Sequence, residues 1–213
     1  MPNNQIGNGT GFFMKVSDSM KWITNYHVID PKLINTIIEI EVWNHTKFKL
    51  DLNNYKITYF EKPKDIAVIQ LKNYDEITQD IQFLSYDKNY IDGYHIYEKV
   101  DVFSIQHPCG KSAACASGTI TSIDNFEFEH NVATDKGSSG CPIILLNDNI
   151  NLILVIGIHK SGDPFYKING GTFIGEIFKE LNNSEIINKT NNLKTENYII
   201  SELEIGDDNI NKE

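Results

Sequence analysis

Cysteine is scarce in this 213-residue chain. Cys109, Cys115 and Cys141 are the only three, so at least one is unpaired unless another chain supplies a thiol, and a secreted disulfide framework is disfavoured. Cys109 and Cys115 with the nearby His107 match no common zinc spacing and find no obvious fourth ligand, so no metal site and no cofactor are expected. Positive charge is also in short supply, with 19 Lys and Arg against 29 Asp and Glu for a net charge of -10. That balance argues against a nucleic-acid partner, which needs a local surplus of cations. No run approaches the ~18 apolar residues of a membrane span. The opening MPNNQIGNGTGFF lacks the basic and apolar regions of a signal peptide, so a soluble, cytoplasmic chain is expected.

What is present is β-forming sequence. The hydrophobic fraction of 40%, with 11 Phe and 10 Tyr, is that of a globular protein. The runs GFFMKV, KWITNY, TIIEIEVW, KITYF, IAVIQL, KVDVFSI, GTITSI, PIILL, LILVIGI and GGTFI are separated by Gly, Pro, Asn, Asp and Lys clusters. Many short strands at close spacing read as a barrel or a sandwich. Only Ile174, Ile177, Phe178 and Leu181 fall at helical spacing, which predicts one C-terminal helix. After about residue 182 the composition turns to Asn and Lys, predicting a polar linker and C-terminal extension over 183–213.

Three segments carry candidate chemistry. In GSSGCP, Gly137 to Pro142, glycines flank Ser139 and permit the tight turn a nucleophilic serine needs, with backbone N–H groups converging on an oxyanion. Read alone, the string is equally a Gly/Ser surface loop leading into PIILL. His27 in TNYHVI, alone, is as readily a structural histidine at a strand end. Asp65 before IAVIQL, alone, is a turn residue. Their joint occurrence in the order His, Asp, Ser is what suggests catalysis.

With GTGFF at Gly9 to Phe13, TNYHVI around His27, DIAVIQL from Asp65, IQHPCGK from Ile105 to Lys111 and GSSGCP around Ser139, the chain resembles the trypsin-like peptidases over roughly residues 7 to 180. The VIGIH string, Val155 to His159, makes the glutamyl-endopeptidase (V8-like) branch the most similar. The resemblance implies an all-β fold of two packed antiparallel six-stranded barrels with one C-terminal helix. The peptidase domain would span 1–182, with an N-barrel at about 7–90 and a C-barrel at about 95–182. It implies a serine endopeptidase acting on protein or peptide substrates, with Ser139 as nucleophile, His27 as general base, Asp65 as its orienting carboxylate, and the N–H groups of Gly137 and Ser139 as the oxyanion hole. Aligned on the glycines, Ser139 fills the nucleophile position, while Ser138 and Cys141 occupy variable ones.

The same resemblance points to substrate preference. Ala133, six residues before Ser139, lies at the base of the S1 pocket and offers no carboxylate to Lys or Arg. Thr134 and His159 stand where the glutamyl-specific relatives bind a substrate carboxylate, so Glu or Asp at P1 is expected. The segment Lys160, Ser161 and Gly162 would pair with an extended substrate. The chain departs from the secreted relatives in opening with Met1 and showing no propeptide ahead of the amine they bring to the pocket. A catalytically inactive, peptidase-like binding module is the alternative reading. A processing protease of the HtrA type would add a PDZ domain, for which the residues after 182 leave no room.

Overall fold

The computed structural model describes residues 7–181 apart from 17, 43–44, 147–152, 164 and 166–167. The extension expected over 183–213 therefore lies outside the described residues.

Alternation of apolar and polar residues sets the strands of the first half. β1 (Phe12–Val16) and β2 (Ser19–Thr24) form a hairpin, and β6 (Ile66–Gln70) joins β2 to β5 (Lys56–Phe60), giving a four-stranded antiparallel sheet in the order β1-β2-β6-β5. β6 is the central element, and its run IAVI is buried throughout, as a strand covered on both faces must be. β3 (Ile37–Glu41) and β4 (Lys47–Asp51) form a separate hairpin. In β4 the pattern KFKLD points Phe48 and Leu50 inward, where they share a core with Trp22, Ala67 and Ile69. Six strands are thus present, as expected, but among the described residues no backbone ladder joins the hairpin to the four-stranded sheet. Side-chain packing links the hairpin to the sheet, through the core that Phe48 and Leu50 share with Trp22, Ala67 and Ile69.

The second half is a closed barrel. β8 (Asp101–Gln106), β9 (Ala114–Asp124), β10 (Glu127–His130), β11 (Pro142–Leu145), β12 (Leu154–Asp163) and β13 (Ile168–Phe173) run in the order β11-β8-β9-β10-β13-β12, and β12 pairs back onto β11. Every pairing in this ring is antiparallel. Closure leaves no open sheet edge around the core. Phe173 lies at its centre, stacked on Tyr94 with ring centroids 4.3 Å apart and 4.6 Å from Phe128. Truncating such a side chain typically costs about 3–5 kcal/mol.

The connection between the halves is part of the second sheet. β7 (Ser85–Tyr86) runs parallel to the start of β12, and Asp87 N donates to Val155 O at 3.1 Å. The Asp87 carboxylate in turn accepts from the buried Tyr97 hydroxyl at 2.9 Å. The predicted C-terminal helix runs over 175–181, and no helix among the described residues is long and apolar enough to cross a membrane.

Candidate active site

His27 sits on a turn that follows β2. Asn25 O accepts from both Val28 N and Ile29 N at 3.1 Å, which winds the chain back after the strand. The same Asn25 is fully buried and donates from Nδ2 to Asp65 O at 2.9 Å, and Tyr26 N donates to that oxygen at 3.1 Å. The segment just before His27 is thereby clamped to residue 65.

Asp65 opens β6 in the left-handed region, with φ of 57°, a conformation that Asp tolerates better than most residues. That turn aims the carboxylate back at His27. Oδ1 accepts from His27 N at 3.0 Å, and Oδ2 lies 2.6 Å from His27 Nδ1. The Asp65 side chain is 5% exposed and that of His27 40%. A shielded carboxylate holding Nδ1–H fixes the ring's tautomer and orientation and leaves Nε2 with its lone pair on the accessible side.

The turn carrying Ser139 is built by two glycines in the left-handed region, Gly137 at φ 88° and Gly140 at φ 89°. A Cβ on Gly137 would lie 2.9 Å from His107 O, so the IQHPCGK loop braces the turn from below. A Cβ on Gly140 would overlap Thr10 O and the Thr24 hydroxyl and would lie 3.2 Å from Asn25 N, which brings the Ser139 turn against the segment that bears His27. Thr10 ties the two together: its N donates to Ser139 O at 2.8 Å and its hydroxyl to Gly137 O at 2.7 Å. The N–H groups of Gly137 and Ser139 have no acceptor among the described residues.

The other two nucleophile candidates are enclosed. Ser138 is fully buried, and its Oγ accepts from Asp135 N at 3.1 Å. Cys141 is fully buried beneath the Ser104 hydroxyl, which donates to its sulfur at 3.0 Å, and burial pushes the thiol up to about 12. Ser139 is the partly exposed member of the trio.

The predicted substrate-binding residues all belong to the second barrel half, His159 to Gly162 lying on β12 and Ala133 and Thr134 between β10 and β11. Ala133 is exposed, with its carbonyl accepting from Gln106 Nε2 at 2.7 Å. Thr134 donates its hydroxyl proton to Asn169 Oδ1 at 2.8 Å, an oxygen whose identity is fixed because Asn169 Nδ2 donates to Val132 O. Its one proton is thus already used. His159 is 3% exposed and lies beside a second buried histidine, His130, with Nδ1 3.1 Å from His130 Nε2. Burial pushes His159 down to about 4, reinforced by the proximity of His27, and His130 down to about 3, reinforced by His159. Lys160 sends its amine to Glu127 and to Pro63 O instead of leaving it free for substrate. Ser161 and Gly162 pair with Gly170 and Asn169 of β13, and their other edge has no strand partner among the described residues.

Four residues with structural roles here were not singled out from sequence. Thr10 and Asn25 lie inside the quoted GTGFF and TNYHVI strings, so a signal was present without a role. His130 and Asn169 gave none, since their contacts are made across strands. Among the described residues no three His, Cys, Asp or Glu side chains converge as metal ligands would.

Comparison with known proteins bears on the family and the fold. The family model for the trypsin-like peptidase domain matches residues 9–157. No curated protein matches the chain. Among solved structures, it is similar to the serine endoprotease from Yersinia pestis, with a TM-score of 0.59 and 15% identity over 83% of this chain and 56% of that one. The chain thus spans little more than half of that protein's length. It is also similar to the Rv3671c protease in an inactive form, with a TM-score of 0.56 and 16% identity over 82% of each chain. A serine-to-alanine mutant of the same protease from M. tuberculosis gives a TM-score of 0.57 at 15% identity, covering 82% of this chain and 80% of that one. At these identities the likeness is one of fold.

Proposed function

Since this chain belongs to the trypsin-like peptidase domain family, we propose that it is a serine endopeptidase whose catalytic triad is His27, Asp65 and Ser139. The observation that carries the reading is the pair of hydrogen bonds that Asp65 accepts from His27, through Oδ1 from the backbone N–H and through Oδ2 from Nδ1 at 2.6 Å. In the proposed reaction Ser139 Oγ attacks the scissile carbonyl carbon while its proton passes to His27 Nε2. Asp65 stabilises the imidazolium so formed. The Gly137 and Ser139 N–H groups, both without acceptors among the described residues, hold the oxyanion, and one such donor is typically worth about 3 kcal/mol. The tetrahedral species collapses as the C–N bond breaks and the amine takes the proton from His27. Water then repeats the sequence on the acyl-enzyme, releasing the acid and restoring Ser139.

The enclosure of Ser138 and Cys141 supports Ser139 as nucleophile. The test is covalent labelling by a fluorophosphonate probe. Labelling abolished by Ser139→Ala and retained in Cys141→Ala supports the triad; labelling that survives Ser139→Ala removes it.

We further propose that the substrates carry Glu or Asp at P1. Ala133 offers no anion to a basic side chain, and His159 offers a ring N–H to an acidic one. A bound carboxylate would raise the pKa of His159 and strengthen that contact. Because the Thr134 proton is engaged by Asn169, His159 is the principal donor in this proposal. Cleavage of a peptide library tests it: no enrichment of Glu or Asp at P1, or an unchanged profile in His159→Ala, would remove it.

A further inference from the structure

His130 and His159 sit on β10 and β12, which are separated in the barrel by β13. Strands two apart lie roughly 9.5 Å from each other, so rings on them do not ordinarily meet. Two register shifts bring these together. The ladder slips between Glu129 and His130, and again between His159 and Ser161, and such bulges redirect side chains. On the intervening strand, Gly171 stands opposite both Phe128 and His159, and the Phe128 ring occupies the space its side chain would take. Nitrogen-to-nitrogen separation is 3.1 Å with the ring planes at 76°.

Both rings are buried and neutral near pH 7, with burial pushing His130 down to about 3 and His159 down to about 4. Each therefore carries one proton, and their hydrogen bond needs that proton on only one of the two facing nitrogens. His130 Nδ1 is buried with no partner among the described residues. If His159 donated, His130 would have to bury an N–H there with no acceptor. If His130 donates from Nε2, only a lone pair is left without a partner, which is the less costly omission.

We propose that His130 is a positioning residue that donates its Nε2–H to His159 Nδ1, so that His159 presents Nε2–H as the donor that reads the P1 side chain. The substrate part of this inference rests on the acidic-P1 reading above; the tautomer part does not. Without His130, the His159 proton is free to sit on either nitrogen, and the ring loses the partner that fixes its orientation.

The test uses the full chain labelled with ¹⁵N-histidine. A long-range ¹H–¹⁵N spectrum at pH 7, with His159 assigned by comparison with His159→Gln, should show the Nε2–H tautomer for His159; the Nδ1–H tautomer would overturn the proposal. In parallel, kcat/KM is measured on matched peptides with Glu or Gln at P1. His130→Phe is expected to lower the Glu-over-Gln ratio about tenfold. His130→Gln, whose amide can donate toward the same nitrogen, should retain most of it. An unchanged ratio in His130→Phe overturns the proposal, and should that variant fail to fold, a ratio in His130→Gln lost as fully as in His159→Gln does the same. If the wild type itself shows no acidic preference, the acidic-P1 reading fails while the His159 tautomer still decides the role of His130.

Discussion

The hydroxyl of Thr10 donates to the carbonyl oxygen of Gly137 at 2.7 Å while accepting from His107 N at 3.2 Å. One side chain near the start of the chain thus holds the turn that would form the oxyanion hole and the loop that braces it. Thr10→Val keeps the shape and removes both bonds, leaving partly buried polar groups without partners at a cost of about 1–3 kcal/mol. The expected outcome is a fall of about tenfold or more in kcat with KM little changed, read from steady-state kinetics on a peptide substrate.

Lys160 links the two halves of the peptidase fold. Its amine bonds Pro63 O at 2.7 Å and pairs with Glu127, while Thr172 donates to the neighbouring Lys64 O at 2.9 Å. Both bonds hold the segment leading into Asp65. Lys160→Met should lower Tm by a few degrees, reflecting loss of a charge-assisted hydrogen bond worth about 1.5 kcal/mol. Calorimetry checks the stability; a kcat that falls alongside it would show that Asp65 depends on this anchor.

The buried histidines predict a pH dependence of stability. Both folded-state pKa values, about 3 for His130 and about 4 for His159, lie below the 6.5 of an unperturbed histidine. Between pH 6.5 and about 4 the unfolded chain therefore binds protons that the folded one excludes, so the stability present above pH 6.5 is lost on acidification. The neighbouring charge is His27, which acts on His159 in the same direction. A loss on the order of 3 kcal/mol for each histidine by pH 4 is expected. Urea midpoints from pH 7 to pH 4 measure it, and His130→Phe should show a shallower decline than wild type.

Gly171 tests the packing beneath the pair. A Cβ there would overlap the ring of Phe128, itself buried against Phe173, and would lie 2.9 Å from Ile158 O. Gly171→Ala should destabilise by about 1–3 kcal/mol through overpacking, seen as a lower urea midpoint at unchanged m-value.

The strings that carry the candidate site were legible in sequence because each is local. A glycine-flanked serine, an aspartate opening an apolar strand and a histidine after one are features of a few adjacent residues. The density of short strands was legible as a barrel or a sandwich, with only the family resemblance favouring barrels, and the helix over 175–181 was legible from the spacing of Ile174, Ile177, Phe178 and Leu181. How the hairpin joins the first half was not. β3 and β4 have the alternation of any half-buried strand, and nothing in that pattern says whether they extend a ladder or meet the sheet through side chains alone.

Residue order by itself determined that the chain carries His27, Asp65 and Ser139 in strand-and-turn contexts, with Ala133 and His159 at fixed offsets from the serine. Tertiary structure alone decided which neighbours act on them. Asp65 reaches both His27 nitrogens at issue because a left-handed turn redirects its carboxylate, Thr134 spends its proton on Asn169, and Lys160 turns its amine to Pro63. His130 meets His159 across a strand because two bulges redirect their side chains. Such contacts join residues tens of positions apart through the closure of a barrel, and no local pattern records them.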